Sequence, residues 1–328
     1  MSSDTPDEQP GADLRGPRRQ CAEAVLMVRP ASFGYNPETA ATNTLQRPPA
    51  AASGGEVALA RKEHEGLAAA LASEGVEVCL VEDTPEPVKP DAAFPNNWVS
   101  FHEDGTVVLY PMQAQSRRRE RRADVIEAVA ARLGFKVSRI LDLSSHEAQN
   151  RYLEGTGSLV LDHTERTAYA CLSPRTHAVV MEEWCRELGY EPMMFAAADR
   201  AGVPLYHTNV MLCIGERLAV VGTEAIVAAD RDRVLERLRG TGREVIELGH
   251  QAIERFAGNM LELGTWDEAL GDSRVLVMSD AARHALDPQV FARLSACTDQ
   301  VLAVPVPTIE RLGGGGVRCM LTEVFLPA

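Results

Sequence analysis

A unit of two strands, a helix and a third strand recurs along this chain, and such a recurrence limits the fold more than any single motif does. Strand-like runs at 98–101 and 106–110 precede a helical pattern over 123–133 and a further strand at 136–141. The next copy has strands at 158–161 and 168–172, a helix over 177–188 and a strand at 191–195. A third joins 210–214 and 218–221 to a helix at 230–239 and a strand at 244–248. A fourth combines 259–263 and 275–278 with a helix near 288–295 and a strand at 300–304. The remaining pieces make a fifth copy only if the chain ends meet, with 317–326 beside 24–29, then a helix over 57–73 and a strand at 76–81. The expected fold class is therefore α/β, a closed ring of five ββαβ-type repeats.

Closure of that ring gives distant residues a common position. Asn97, Glu154, His207, Asn259 and Cys319 each stand at or just before the first strand of a unit, with spacings of 57, 53, 52 and 60 as differences of residue number. They are expected to converge on one axis. Cys319 follows Gly313–Gly316, whose lack of side chains lets backbone approach a ligand, and Arg318 beside it favours the thiolate. Taken alone, Cys319 reads better as a small buried thiol, His207 as a satisfied core or loop histidine and Glu154 as an exposed carboxylate. The shared repeat position is what makes them candidates for chemistry.

Composition narrows the partners. A net charge of -14 disfavours nucleic acid, which needs a basic footprint, and the Ser116–Arg122 run, with its five arginines, reads as a solvated helical turn. Apolar runs such as Ala24–Val28 and Val301–Val306 fall far short of the ~20 residues of a membrane span, and the N-terminus has no apolar signal core, so a cytoplasmic location is expected. Seven cysteines without a Cys-x-x-Cys pair argue against a disulfide framework and a structural zinc site. The four glycines make a poor phosphate loop, because no Lys-Ser/Thr follows them. Residues 1–21, rich in charge, Pro and Gly, are expected to form a disordered tail, and 22–328 a single catalytic domain with no metal or cofactor.

Seven segments carry a family likeness in order over nearly 300 residues: Val28-Arg29-Pro30, Asn36–Ala40, Asp91–Trp98, Leu153–Ser158, Tyr206–Val210, Phe256–Glu262 and Gly313–Glu323. With these the chain resembles the pentein, or guanidino-group-modifying, superfamily, five-bladed α/β propellers that include arginine deiminases, dimethylarginine hydrolases and amidinotransferases. The citrulline utilisation hydrolases are the nearest type. The resemblance implies Cys319 as nucleophile, His207 as proton carrier and Glu154 as a ligand of the substrate's terminal nitrogen. It further implies Asp91 at the amino-acid ammonium and Arg117 and Arg175 at the α-carboxylate, where guanidinium forks suit the anion. Without it, Asp91 is a turn residue after Pro90 and the arginines are solvated cations. Asn36, Asn43 and Gln46 lie in a segment that is either a lid or an inert surface loop.

Departures from the family pattern bear on substrate charge. Asn96 and Asn97 stand where guanidinium-binding relatives carry acids, and Asn209 stands where arginine deiminases have Asp. An amide matches a neutral ureido group as donor and acceptor. The expected reaction is hydrolysis of citrulline to ornithine, carbon dioxide and ammonia through a carbamoyl thioester on Cys319. Arginine deiminase, dimethylarginine hydrolase or amidinotransferase activity is the alternative. A ribosome-binding, non-enzymatic pentein is opposed by Cys319, His207 and Glu154 together. The partner expected is a small amino acid, and homo-oligomerisation is left open.

Overall fold

The structure, a computed structural model, describes residues 19–49, 55–267 and 271–326. The first strand, β1 (Ala24–Arg29), is an apolar run buried on both faces, and it lies parallel to β2 (Glu77–Glu82) after the helix Glu56–Ser73. Next come β3 (Val99–Phe101), β4 (Thr106–Leu109) and β5 (Arg139–Asp142). They are followed by β6 (Val160–Asp162), β7 (Thr167–Cys171) and β8 (Glu191–Phe195), then by β9 (Leu212–Ile214), β10 (Leu218–Val221) and β11 (Glu244–Glu247). The last are β12 (Leu261–Asp267), β13 (Gly271–Ser279), β14 (Gln300–Val304) and β15 (Thr322–Val324). In each unit the first two strands are antiparallel and the last two parallel, with a helix between those last two. The expected meeting of the chain ends is present: β15 runs antiparallel to β1, with Ala24 opposite Val324.

Two units are fused rather than separate. Val324 pairs with Phe101, so β15 joins β3 and the sheet order becomes β2-β1-β15-β3-β4-β5, beside three sheets of three strands. Two of the helices carry clear end signals. His177 caps Ala178–Leu188 by accepting from Val179 N, and Gly189, in the left-handed region, closes it. Asp287 caps Pro288–Ser295 in the same way, with proline at the first helical position.

Several expected boundaries move, for one recurring reason. The runs read as strands from 158, 210 and 317 begin instead with single helical turns at Gly155–Ser158, Thr208–Val210 and Val317–Met320, and another such turn, Pro95–Asn97, precedes β3. These turns pack against one another, 155–158 touching both 95–97 and 208–210, and 95–97 touching 317–320. Residues 1–18 of the expected tail lie outside the described residues, whereas Gln20 and Cys21 are buried. The Gln20 amide donates to Leu161 O and Ile214 O at 3.0 and 3.1 Å, tying β6 to β9. The 116–122 run is not a solvated turn either. Arg117 is buried against Glu120, and Arg118 and Arg121 pair with Glu147.

Candidate active site

A pocket forms where these turns meet, with Asn97 and Cys319 reaching it from two of them and His207 from the residue just before a third. Its wall includes Asp91, Asn97, Arg117, Arg175, His207 and Cys319, together with the backbone of Gly313–Gly315. Glycine is required at two of the crossings. A Cβ on Gly155, whose φ is +48°, would lie 2.1 Å from Asn96 O, and one on Gly157 would lie 2.4 Å from Asn97 Nδ2 and 2.7 Å from His207 Nδ1.

Cys319 is the buried N-terminal neighbour of Met320 in the last turn, its amide bonded to Gly316 O at 3.2 Å. Its sulfur is surrounded by amides: Asn259 Nδ2 at 3.3 Å, Asn209 Nδ2 at 3.7 Å and Asn209 Oδ1 at 3.8 Å. Burial pushes the thiol up, and the Asn259 N–H and the Arg318 charge pull it back without prevailing. Arg318 is itself committed, donating to Glu323 Oε2 and Leu321 O, each at 2.7 Å. Arg318 thus biases Cys319 towards thiolate as expected, but burial outweighs it.

His207 Nε2 is 2.8 Å from Glu154 Oε2. A carboxylate accepts, so Nε2 carries the proton and Nδ1 is the nitrogen left for a substrate. Burial lowers His207 to about 4 despite Glu154 beside it. Burial would raise Glu154, but Arg175 and the His207 hydrogen bond win and hold it at about 2. Glu154 was expected to contact the substrate's terminal nitrogen. Instead it lies wholly buried behind His207, accepting also from Gln113 N at 3.0 Å and Arg175 Nη1 at 3.5 Å.

The other expected ligands divide. Asp91 is buried, with Oδ2 accepting from Asn36 Nδ2 at 2.6 Å and Thr39 Oγ1 at 3.4 Å; burial raises its carboxyl against the pull of Arg117. Arg175 donates through Nε to Thr42 Oγ1 at 2.8 Å and lies over the Tyr206 ring. Arg117 reaches the wall, yet most of its fork is spent: Nε and Nη2 on Glu120 at 3.0 and 2.8 Å, Nη1 on Asn97 Oδ1 at 2.6 Å, Nη2 also on Phe94 O at 3.1 Å. Asn97 then donates to Asn96 Oδ1 at 3.0 Å, so Asn96 supports Asn97 from behind and does not line the pocket. The 36–47 segment is a strap across the site. Asn43 donates to Gly314 O at 3.0 Å, Gln46 to Gly313 O at 3.1 Å, and Arg47 N to Arg311 O at 2.8 Å. Tyr206 also donates to Gly314 O. Thr39, Thr42 and Tyr206 were given no role of their own, although Thr39 and Tyr206 lie in two of the family-like segments and Thr42 adjoins Asn43.

The sequence model of the eukaryotic N,N-dimethylarginine dimethylhydrolase family matches residues 29–326. The chain belongs to that family. It is accordingly a hydrolase acting on C–N bonds, and the expected pentein relationship holds. Among solved structures this dimethylarginine dimethylhydrolase family member is similar to ArgZ, an arginine dihydrolase from the ornithine-ammonia cycle in cyanobacteria. The unliganded ArgZ structure gives a TM-score of 0.69 at 18% identity, covering 93% of this chain and 41% of ArgZ. The chain thus spans less than half of full-length ArgZ, but 98% of its N-terminal domain, seen as a Cys-to-Ser variant bound to substrate (TM-score 0.68, 18% identity, 93% of this chain). A dimethylarginine dimethylaminohydrolase carrying a 4-chloro-2-hydroxymethylpyridine adduct gives 0.60 at 16% identity, covering 92% of this chain and 99% of that one. No curated protein sequence matches.

Proposed function

We propose that this chain is a cysteine-dependent hydrolase of a free amino acid ending in a guanidino or ureido group, converting arginine and two waters to ornithine, carbon dioxide and two ammonia molecules, with citrulline as the intermediate. The observation that carries the reading is the Cys319 sulfur lying between the Asn209 and Asn259 amides in the same pocket as the Glu154-held His207, Asp91 and Arg175.

In the first round the Cys319 sulfur bonds to the guanidino carbon, and ammonia leaves with a proton passed through His207 Nδ1. Water, giving its proton to the same nitrogen, then displaces the sulfur and yields citrulline. In a second round the sulfur bonds to the ureido carbon and the side-chain nitrogen of ornithine leaves with a proton passed through the same imidazole; water then cleaves the carbamoyl thioester to carbamic acid, which falls apart to carbon dioxide and ammonia. A guanidinium beside a thiol raised by burial supplies the cation that favours the thiolate. The amides then suit the uncharged ureido stage, which a ring of carboxylates would not. Asp91 takes the α-ammonium and Arg175 the α-carboxylate.

The common connectivity of the five units and the contacts between their turns support a five-bladed propeller around this site. Seven unpaired cysteines support a cytoplasmic location, and no helix among the described residues is long and apolar enough to cross a membrane. The family match favours one second reading, N,N-dimethylarginine as substrate. Incubation with arginine, citrulline and N,N-dimethylarginine side by side, quantifying ornithine, citrulline and ammonia, separates the two. Ornithine from both arginine and citrulline supports the dihydrolase. Arginine stopping at citrulline, or turnover of dimethylarginine alone, overturns it.

A further inference from the structure

Four of the five axial residues have a place in the site just described: Asn97, Glu154, His207 and Cys319. The fourth unit contributes Asn259, a fully buried side chain between β9's approach and the cysteine turn. Its Nδ2 makes two contacts, to Asn209 O at 2.8 Å and to Cys319 Sγ at 3.3 Å. The amide has two N–H groups, and both are thereby used. The Asn209 carbonyl fixes which way the amide faces, because a flip would set Asn259 Oδ1 against another acceptor. An N–H is therefore held on the sulfur. Oδ1 faces Gly316, where a Cβ would come within 2.7 Å of it, and has no hydrogen-bond partner among the described residues. A buried oxygen left without a partner is a cost that a purely structural asparagine would not incur.

We infer that Asn259 is a catalytic residue, the donor that stabilises the Cys319 thiolate, and that it does so for a neutral ureido substrate, which brings no cation of its own. Asn209 complements it. Its Nδ2, 3.7 Å from the sulfur, is a longer second donor, and its Oδ1, at 3.8 Å, is an acceptor for the S–H of the neutral thiol, whereas the shorter Asn259 N–H serves only the anion or a lone pair. The inference rests on the reading of Cys319 as nucleophile, but the property it assigns is an ionisation that can be measured without substrate.

The test is the pH dependence of Cys319 alkylation by iodoacetamide, in which the sulfur displaces iodide from carbon and the thiol proton goes to buffer. Modification is followed on the Cys319 peptide by mass spectrometry in the full chain, for wild type, Asn259→Ala and Asn259→Asp. The other titratable or charged groups near the site, His207, Tyr206, Arg318, Glu154, Asp91, Arg117 and Arg175, are the same in all three. The midpoint is expected to rise by about one pH unit in Asn259→Ala, with alkylation roughly tenfold slower at pH 7, and by more in Asn259→Asp, where an acceptor replaces the donor. An unchanged midpoint in either folded variant overturns the inference. Should Asn259→Ala lose its cooperative thermal transition, the near-isosteric Asn259→Asp carries the test. If instead the midpoints shift as expected but Cys319→Ala retains turnover, the thiolate role of Asn259 stands and the proposed function fails.

Discussion

His207 Nε2 and Glu154 Oε2 lie 2.8 Å apart with both side chains buried, and this bond decides that Nδ1 of the imidazole is the nitrogen left for chemistry. Glu154→Gln keeps the volume but allows an amide N–H to donate to Nε2, which moves the ring proton to Nδ1 and removes the base. The expected result is a fall in kcat of about 10²-fold or more with a smaller change in KM. Steady-state kinetics of Glu154→Gln beside Glu154→Asp, which retains an acceptor and should recover part of the rate, checks it.

Cys319→Ala should abolish turnover and leave the thermal midpoint close to that of wild type, since the side chain is small and the turn is held by Gly316 O and the glycine backbone. Cys319→Ser should be nearly as inactive, because an alcohol is far less ionised than a thiol at neutral pH. Residual activity within tenfold of wild type in either variant contradicts the nucleophile assignment.

The two pocket arginines should behave differently. Arg117 neutralises the buried Glu120, so Arg117→Ala leaves that carboxylate without its partner and is expected to destabilise the fold by about 3–5 kcal/mol. Arg175 is anchored chiefly to the strap and pairs at 3.5 Å with Glu154, which keeps its bonds from His207 and Gln113 N without it, so Arg175→Ala should mainly raise KM for the free amino acid, by about ten- to a hundredfold, through loss of a charge-assisted contact of roughly 1.5–3 kcal/mol. Urea unfolding and Michaelis kinetics on both variants distinguish these outcomes.

The contrast between these arginines shows where sequence reasoning reached its limit. The repeat was legible because the longer helices carry apolar residues at helical spacing, and the helices at 123–133 and 288–295 fall where their periodicity places them. Asn97, Glu154, His207, Asn259 and Cys319 were legible because they recur at one position of the repeat, whereas Asp91, Arg117 and Arg175 followed only from the family resemblance. What could not be read was how each polar group is satisfied. Arg117 and Glu120 are neighbours in a run of charge that looks like solvated surface, and only the packing of 95–97 over the 115–118 turn buries them. The turn before β15, and the last residues Ser158 and Val210 of the turns before β6 and β9, were taken for strand because three or four residues are too few to show a helical period. Glu154 was assigned to the substrate because nothing local reveals that His207, 53 residues later, lies in front of it.

Acid should destabilise the fold from just below neutral pH. His64, His102 and His207 are lowered by burial to about 4 and His163 to about 3, against an ordinary value of 6.5. A histidine whose folded value is depressed contributes stability that is fully present above 6.5 and lost as pH falls towards the folded value, at up to about 1.4 kcal/mol per pH unit per residue. Glu120 and Glu310, which burial pushes up to about 7, act in the opposite sense over the same range. With Asp91, whose carboxyl burial also raises, three carboxyls oppose four imidazoles, which leaves a net loss. Urea midpoints at pH 7.5, 6 and 5 should therefore decline in that order, and a midpoint that rises on acidification would show that the carboxyls dominate.

Substrate charge is tested most directly at Asn97. Its Oδ1 accepts from Arg117 Nη1 at 2.6 Å and its Nδ2 donates to Asn96 Oδ1 at 3.0 Å, so the amide is used in both senses. Asn97→Asp keeps the bond to Arg117 and strengthens it, but it sets an oxygen against Asn96 Oδ1 and adds a negative charge on the pocket wall. A cationic guanidinium gains from that charge, whereas a neutral ureido group gains nothing and loses a donor. The ratio of kcat/KM for arginine to that for citrulline should therefore rise by about tenfold or more in the variant, mainly through slower use of citrulline. Because Arg117 already balances part of the added charge, the gain for arginine itself should be the smaller part. The Asn96→Ala, Asn97→Asp double variant removes the opposing oxygen and should recover stability without restoring citrulline turnover. If the single variant keeps the wild-type ratio, Asn97 does not sense the reacting group, and discrimination between the two substrates rests on Asn209 and Asn259 beside the sulfur.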